Sequence, residues 1–347
     1  MEKKETVLVT GGTGFVAMQI ILQLLQIGYR VRTTVRNLKH TNKVLSALSK
    51  SGIKAFGDLS FIETELTSDD NWFEAMDGCK FALSVASPVF FEIPKDENEA
   101  IRPAVEGILR VLKFAQLAGV KRVVMTSNFG AVGFSQTDRH RETTESDWTD
   151  TKTKGLSIYE KSKTLAEMAA WDFIKNSKGV LEFATINPVA ILGPSLDNHI
   201  SGSFHLLQHL LDGSMKAIPK IHLNVVDVRD VADLHIRAMA SPKANGQRFI
   251  ASADGHISMP EIARLLKIKY PKVSQKVSLI SLPNWVLRFA SLFNGKAKEG
   301  LLLMKMNRNV SNTKAKQFLN WKPIATKEQT ILSAMESIIK YKLNDNN

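Results

Sequence analysis

The apolar positions of the chain fall into short runs that alternate with longer helical patterns through its first half. Thr6–Thr10 is a β-rich run ending in glycines, and Ala17, Ile20, Ile21, Leu24 and Leu25 then recur at helical spacing. Val31–Val35 predicts a second strand, Ile53–Phe56 a third followed by Gly57-Asp58-Leu59, and Phe81–Val85 a fourth. Ile101, Val105, Ile108, Leu109 and Leu112 put one apolar face on a long helix. Arg122–Thr126 predicts a fifth strand, a helix around Tyr159 follows, and Leu181–Ile186 predicts a sixth. Near-continuous apolar strands separated by helices imply an α/β fold with a doubly wound parallel sheet covered on both faces.

After Pro188 the rhythm loosens into a smaller α+β portion with Pro- and Gly-punctuated loops. It holds a helix near Val231–Met239, a short strand at Arg248–Ala251 and a C-terminal helix to about Tyr341. The expected division is 1–190 for the sheet domain and 191–347 mainly for a substrate-binding portion, with some later segments returning to the sheet. No internal repeat or low-complexity tract interrupts it.

Composition narrows the class. The 347 residues are 44% hydrophobic and 23% charged, ordinary globular material long enough to bury a full core. No apolar stretch approaches a membrane span, and Met1–Glu5 runs into a strand without a signal-peptide core, so a cytoplasmic protein without a membrane partner is expected. The single cysteine, Cys79, rules out an intramolecular disulfide and fits a reducing compartment. Net charge is +12, but the basic residues are spread along the chain. The densest stretch, Lys296 to Lys316, lacks the interleaved aromatic residues of a base-stacking surface. It reads as a solvated basic face that draws in anionic ligands, and no nucleic-acid partner is expected.

Thr10-Gly11-Gly12-Thr13-Gly14-Phe15, between a strand and an amphipathic helix, has the form of a dinucleotide-binding turn and makes the sheet Rossmann-type. Gly11 permits the tight turn, Gly14 lets backbone approach a pyrophosphate, and Ala17 fills the third, small position. Backbone N–H groups around Thr13, Gly14, Phe15 and Val16 are the expected donors. The second strand ends without the carboxylate that an NAD ribose would need. It offers Arg36 instead, with Lys43 beyond it, which suits the 2′-phosphate of NADP(H). Asp58 is a candidate for the adenine amino group with Leu59 beside it, or else a loop aspartate bonding its own backbone. Val85-Ala86-Ser87-Pro88 ends the fourth strand in small residues, as backbone passing under a cofactor requires.

Tyr159-Glu160-Lys161-Ser162-Lys163 places a phenol and an ammonium four residues apart, on one face of a helix. A tyrosine titrates near ~10, and a fixed cation is expected to pull it toward the working range of an acid catalyst.

With these pieces placed, the chain resembles the extended short-chain dehydrogenases/reductases of the NAD-dependent epimerase/dehydratase superfamily, nearest the dihydroflavonol, cinnamoyl-CoA and aldehyde/ketone reductase branch. The segments that carry the resemblance are TGGTGFV, RTTVRN, GDL, SVASP, VVMTSN, YEKSK with TLAEMAAW, and NPVAILGP, from about Thr6 to Ala251. It implies that Tyr159 gives a proton to a carbonyl oxygen and that Lys163 lowers its pKa and holds the nicotinamide ribose. Arg36 and Lys43 would grip the 2′-phosphate, and Thr126 with Pro188-Val189 would line the nicotinamide. The chain departs from the family after the fifth strand. Thr126-Ser127-Asn128 stands where Thr-Ser-Ser is usual, so Asn128 holds the catalytic-serine position. Its amide can donate to a developing oxyanion, though it cannot relay a proton. Ser127 is the substitute candidate, although strand neighbours point to opposite faces.

His205 and His209 sit at i, i+4, a zinc spacing, but without accompanying ligands, and no metal is expected. Asp227, Arg229 and Asp230 suit either a motif of extended family members or a helix N-cap. Phe90, Phe91, Phe129, Phe134 and Phe204 border the expected substrate region and favour an apolar or aromatic carbonyl, or simply pack the core. The sequence thus predicts NADPH-dependent reduction of a small aldehyde or ketone by a monomer or homodimer. Nucleotide-sugar epimerisation or dehydration, and an NADP(H) sensor without turnover, are the alternatives.

Overall fold

The computed structural model describes residues 4–88, 96–177 and 179–341. Phe90 and Phe91 fall outside them.

Among the described residues up to Pro188, six strands occur: β1 (Thr6–Val9), β2 (Arg30–Val35), β3 (Leu59–Glu63), β4 (Phe81–Ser84), β5 (Arg122–Thr126) and β6 (Glu182–Pro188). Between and after them run α1 (Phe15–Gln26), α2 (Thr41–Lys50), α3 (Trp72–Met76), α4 (Glu97–Leu117) and α5 (Ile158–Asn176). The second half supplies β7 (Ala190–Leu192), α6 (Phe204–Leu211), β8 (Ile218–Pro219), β9 (His222–Leu223), β10 (Val225–Asp227), α7 (Val228–Ala240), β11 (Gln247–Ala251) and β12 (Ile257–Ser258). It ends in α8 (Met259–Lys269), β13 (Ser281–Leu282), α9 (Asn284–Ala290), α10 (Gly295–Lys305), α11 (Thr313–Leu319) and α12 (Lys327–Lys340).

The main sheet is parallel, in the order β11-β6-β5-β4-β1-β2-β3. Its seventh strand, β11, comes from the C-terminal half and pairs with β6. Strand order reverses between β1 and β4, and in such sheets the ligand crevice opens there, beyond the carboxyl ends of the strands. Helices α1 and α7 pack on one face and α4 and α5 on the other. A separate apolar cluster joins α6, α8 and α12. Local chemistry fixes the helix starts: Ser258 with Glu261 and Thr326 with Gln329 form reciprocal capping boxes on α8 and α12.

One strand departs from the sequence expectation. The third strand is Leu59–Glu63, and Ile53–Phe56 is the loop before it, packed against the core edge. As the outer strand of the sheet, β3 is only partly buried, so its apolar residues do not form the continuous run that marks an inner strand.

Candidate active site

The turn after β1 is built by hydroxyls. Thr10 Oγ1 accepts the N–H groups of Val85 and Ala86, both at 2.9 Å, which ties the end of β4 to β1. Thr34 Oγ1 accepts the Gly11 N–H at 3.0 Å. Gly11 has φ +72°, and a Cβ there would lie 3.0 Å from that of Ala86. Gly12 is tighter still, since its Cβ would come 2.3 Å from Thr33 Oγ1. Gly14 is the N-cap of α1 and no side chain caps it, so the first-turn N–H groups of Phe15 and Val16 carry no side-chain acceptor. A glycine cradle beneath an uncapped helix start fits a pyrophosphate. Thr13 lies in the same turn.

Arg36, just past β2, is exposed and has no ion-pair partner among the described residues, so its guanidinium is available to an anion. Lys43, in α2, is already paired with Asp197 at 3.2 Å. Asp58 and Leu59 are a correction. Asp58 precedes β3 and pairs with Lys4 (2.5 Å) and Arg30 (4.0 Å), at the opposite end of the sheet from Gly11. Leu59 is the first residue of β3. Because the sequence pattern places the strand too early, its start is read as its end. The acid–leucine pair that follows β3 is Glu65-Leu66, and Leu66 lines a small cavity with Ala86, Ser87, Pro88, Thr126 and Lys163.

Ser157 caps α5 by accepting the Glu160 N–H at 3.2 Å, and the helix carries Tyr159 and Lys163 one turn apart. Lys163 is buried. Its Nζ donates to Thr126 O at 3.0 Å and Ser87 Oγ at 3.4 Å, joining β4, β5 and α5 at the crevice. Burial pulls its pKa down to about 8, with Glu167 acting against that shift. Tyr159 is 47% exposed, yet protein around the phenol removes enough solvation to push its pKa up to about 12, and Glu160 adds to the rise. This reverses the expected downward shift, because the ammonium is directed at Ser87 and Thr126. The phenol is therefore held protonated, the form that can give a proton away. Burial also raises Glu160, to about 7.

Asn128 follows β5 in extended backbone. Its Oδ1 is buried without a hydrogen-bond partner among the described residues, and its carbonyl accepts Asn187 Nδ2 at 3.2 Å. A Cβ on Gly130 would come 2.6 Å from Glu160 Cγ and 2.9 Å from Asn128 Oδ1. Glycine there lets the asparagine amide lie beside the first turn of α5. Ser127 is a second correction: it faces the other way and donates to Glu167 Oε2 at 2.5 Å inside the core. Thr126 also turns its hydroxyl aside. His235 Nδ1 lies 2.8 Å from Val231 O, so the neutral ring donates there and its Nε2 accepts from Thr126 Oγ1 at 2.7 Å. Burial lowers His235 to about 4, keeping it neutral. Pro188 ends β6, and the Val189 N–H donates to Ala251 O at 3.1 Å.

Glu167 is the residue that the sequence reading missed. Besides Ser127 it accepts from Asn187 (2.7 Å), Arg248 (2.7 Å), Thr185 (3.0 Å) and Trp171 (3.2 Å). The available signal was a lone carboxylate in the alanine-rich Thr164–Trp171 stretch. Asp227 caps α7 and chelates Arg229 through both carboxylate oxygens. His209 pairs weakly with Asp212, and no metal-ligand cluster occurs among the described residues. Phe204 stacks edge-on with Phe15 at 5.4 Å, and Phe129 tilts against Phe134 at 6.5 Å.

The sequence model of the 3-beta hydroxysteroid dehydrogenase/isomerase family matches residues 8–256. The chain belongs to this family. Within it, the chain is 35% identical over 284 residues to an anthocyanidin reductase of Vitis vinifera, covering 78% of this chain and 82% of the relative. It is 34% identical to the bifunctional dihydroflavonol 4-reductase/flavanone 4-reductase of Malus domestica, covering 78% of each. Yeast methylglyoxal/isovaleraldehyde reductase Gre2, crystallised with NADPH, superposes with a TM-score of 0.79 at 25% identity, over 98% of this chain and all of that one. Vestitone reductase from alfalfa (Medicago sativa) gives 0.75 at 26%, over 99% and 100%. The family member described here is an oxidoreductase of the extended short-chain dehydrogenase/reductase type.

Proposed function

We propose that this oxidoreductase uses NADPH to reduce the carbonyl group of an apolar or aromatic aldehyde or ketone. The observation that carries this reading is Lys163, buried and bonded to Ser87 and Thr126 where the strand order reverses, one helical turn from a protonated Tyr159. Bound NADPH would supply the hydride that goes to the carbonyl carbon. Tyr159 gives its phenolic proton to the carbonyl oxygen, and the Asn128 amide N–H₂ donates to that oxygen as charge develops. Lys163, cationic below about pH 8, holds the ribose hydroxyls. The uncapped start of α1 receives the pyrophosphate, and Arg36 receives the 2′-phosphate, with Lys43 contributing only if it leaves Asp197. The absence of a carboxylate after β2 weighs against the tightly held NAD⁺ of an epimerase.

Mixing the protein with NADPH and a panel of aryl aldehydes, α-keto esters and diketones tests the reading. Catalytic loss of reduced-nicotinamide absorbance, abolished in Tyr159→Phe with NADPH binding intact, is expected. NADPH binding without oxidation by any carbonyl would favour the sensor reading, which Asn128 in the serine position keeps open.

A further inference from the structure

Four large apolar side chains stand in water on one side of α9 and the turn that follows it. Trp285 is 70% exposed, Phe289 63%, Leu292 65% and Phe293 79%. Their spacing of four, three and one gathers them on one face, and the rings of Phe289 and Phe293 touch edge-on at 5.6 Å. The opposite face holds α9 in place: Val286 and Leu287 are half-buried, and Leu287 packs against Gly300 of α10. The outer side of this helix is thus its most apolar side, the reverse of an ordinary surface helix.

Along the chain, the charge flanking it is of one sign. Between Ile262 and Lys298 the chain carries Arg264, Lys267, Lys269, Lys272, Lys276, Arg288, Lys296 and Lys298 and no aspartate or glutamate. Arg288 lies within the apolar segment, and Lys296 and Lys298 immediately follow it. The next acid, Glu299, lies close enough to Glu160 to raise that carboxyl's pKa, and it also feels the Lys296 ammonium, so it offsets part of the positive charge. A second copy of this face would bring mainly cation against cation, with Glu299 as the acid nearest to Lys296 and Lys298 in the chain. An aromatic face rimmed by lysine and arginine is instead complementary to an anionic lipid surface, where rings sit among the acyl boundary and ammonium groups meet headgroups.

From this juxtaposition of exposed rings and a large excess of positive charge, we infer that α9 docks the protein on membranes containing anionic phospholipid. The contact is peripheral, since no helix among the described residues is long and apolar enough to cross a membrane. It departs from the sequence-based expectation of no membrane partner.

Co-sedimentation of the full-length protein with phosphatidylcholine vesicles, with and without phosphatidylserine, tests it directly and does not depend on the proposed activity. The protein should pellet with the phosphatidylserine vesicles only, and strong salt should release it. The triple variant Trp285→Ser/Phe289→Ser/Phe293→Ser should bind on the order of tenfold more weakly or worse. Arg288→Glu/Lys296→Glu/Lys298→Glu, which keeps the rings, should lose a similar factor. Failure of the parent to pellet, or undiminished binding by both variants, would overturn the inference. So would a parent dimer in light scattering that the serine variant converts to monomer, since the face would then belong to a second copy.

Discussion

Replacing Glu167 by glutamine tests how far the core beneath the site governs its chemistry. The carboxylate accepts five hydrogen bonds, from Ser127, Asn187, Arg248, Thr185 and Trp171. Glutamine preserves the volume but turns one acceptor oxygen into a donor. Asn187 cannot flip to oblige it, because its Nδ2 also holds the Asn128 carbonyl. The buried Arg248 keeps neutral carbonyl partners at Glu145 and Asp147, both 2.8 Å, but loses its one close ion pair among the described residues. Breaking one partner of a buried pair costs about 3–5 kcal/mol, which for a chain of this length corresponds to roughly 4–7 °C in Tm. A second effect reaches Lys163, one turn earlier on α5. Burial holds its pKa at about 8 while Glu167 pulls upward, so removing the carboxylate must lower it further. In the proposed function its cationic form is the one that binds, so the parent should lose kcat/KM as pH rises through about 8, and the variant should lose it at lower pH. Thermal melts and pH–rate profiles measure the two effects separately. A parent-like Tm together with an unmoved alkaline limb would refute the reasoning.

Asn128→Ala should lower kcat by about 10²–10³-fold, the usual cost of an oxyanion donor, while Asn128→Ser recovers much of it; steady-state kinetics with equal rates in all three proteins would remove Asn128 from the chemistry. Arg36→Ala should raise KM for NADPH by about one to two orders of magnitude, as loss of a charge-assisted contact requires, and leave KM for NADH unchanged. Gly12→Ala forces a methyl against Thr33, whose hydroxyl is already bonded to Val9 O at 2.8 Å. It should cost about 1–3 kcal/mol of stability, visible in the melt, and weaken NADPH binding in a fluorescence titration.

The inner strands were legible because each is a buried apolar run, and the nucleotide turn because glycine, strand and helix occur in a fixed order. The third strand was misplaced because a half-exposed edge strand, Leu59-Ser60-Phe61-Ile62-Glu63, carries no such run. That single slip moved the adenine-side candidates to Asp58 and Leu59. The expectation that neighbouring strand residues face apart correctly set Ser127 against Asn128. The direction of the Tyr159 shift was not legible, because it depends on where the Lys163 ammonium points, and that is decided by Ser87 on β4 and the Thr126 carbonyl. Glu167 and His235 were hidden for the same reason: most of Glu167's partners, and Thr126 for His235, lie on or beside strands distant in sequence. The aromatic residues of α9 escaped notice because their spacing is that of a core-facing stripe, and only the packing shows the stripe turned outward.

Phe15 has one foot in each half of the molecule. It belongs to the first turn of α1, yet its ring is buried in the cluster of α6, α8 and α12, edge-on to Phe204. A fragment ended near residue 190 would leave that ring bare at the very turn proposed to receive phosphate, besides forfeiting β11. The two portions are consequently not interchangeable modules, and grafting a new substrate region onto this nucleotide-binding half would require a replacement for Phe204 as well as for the loops.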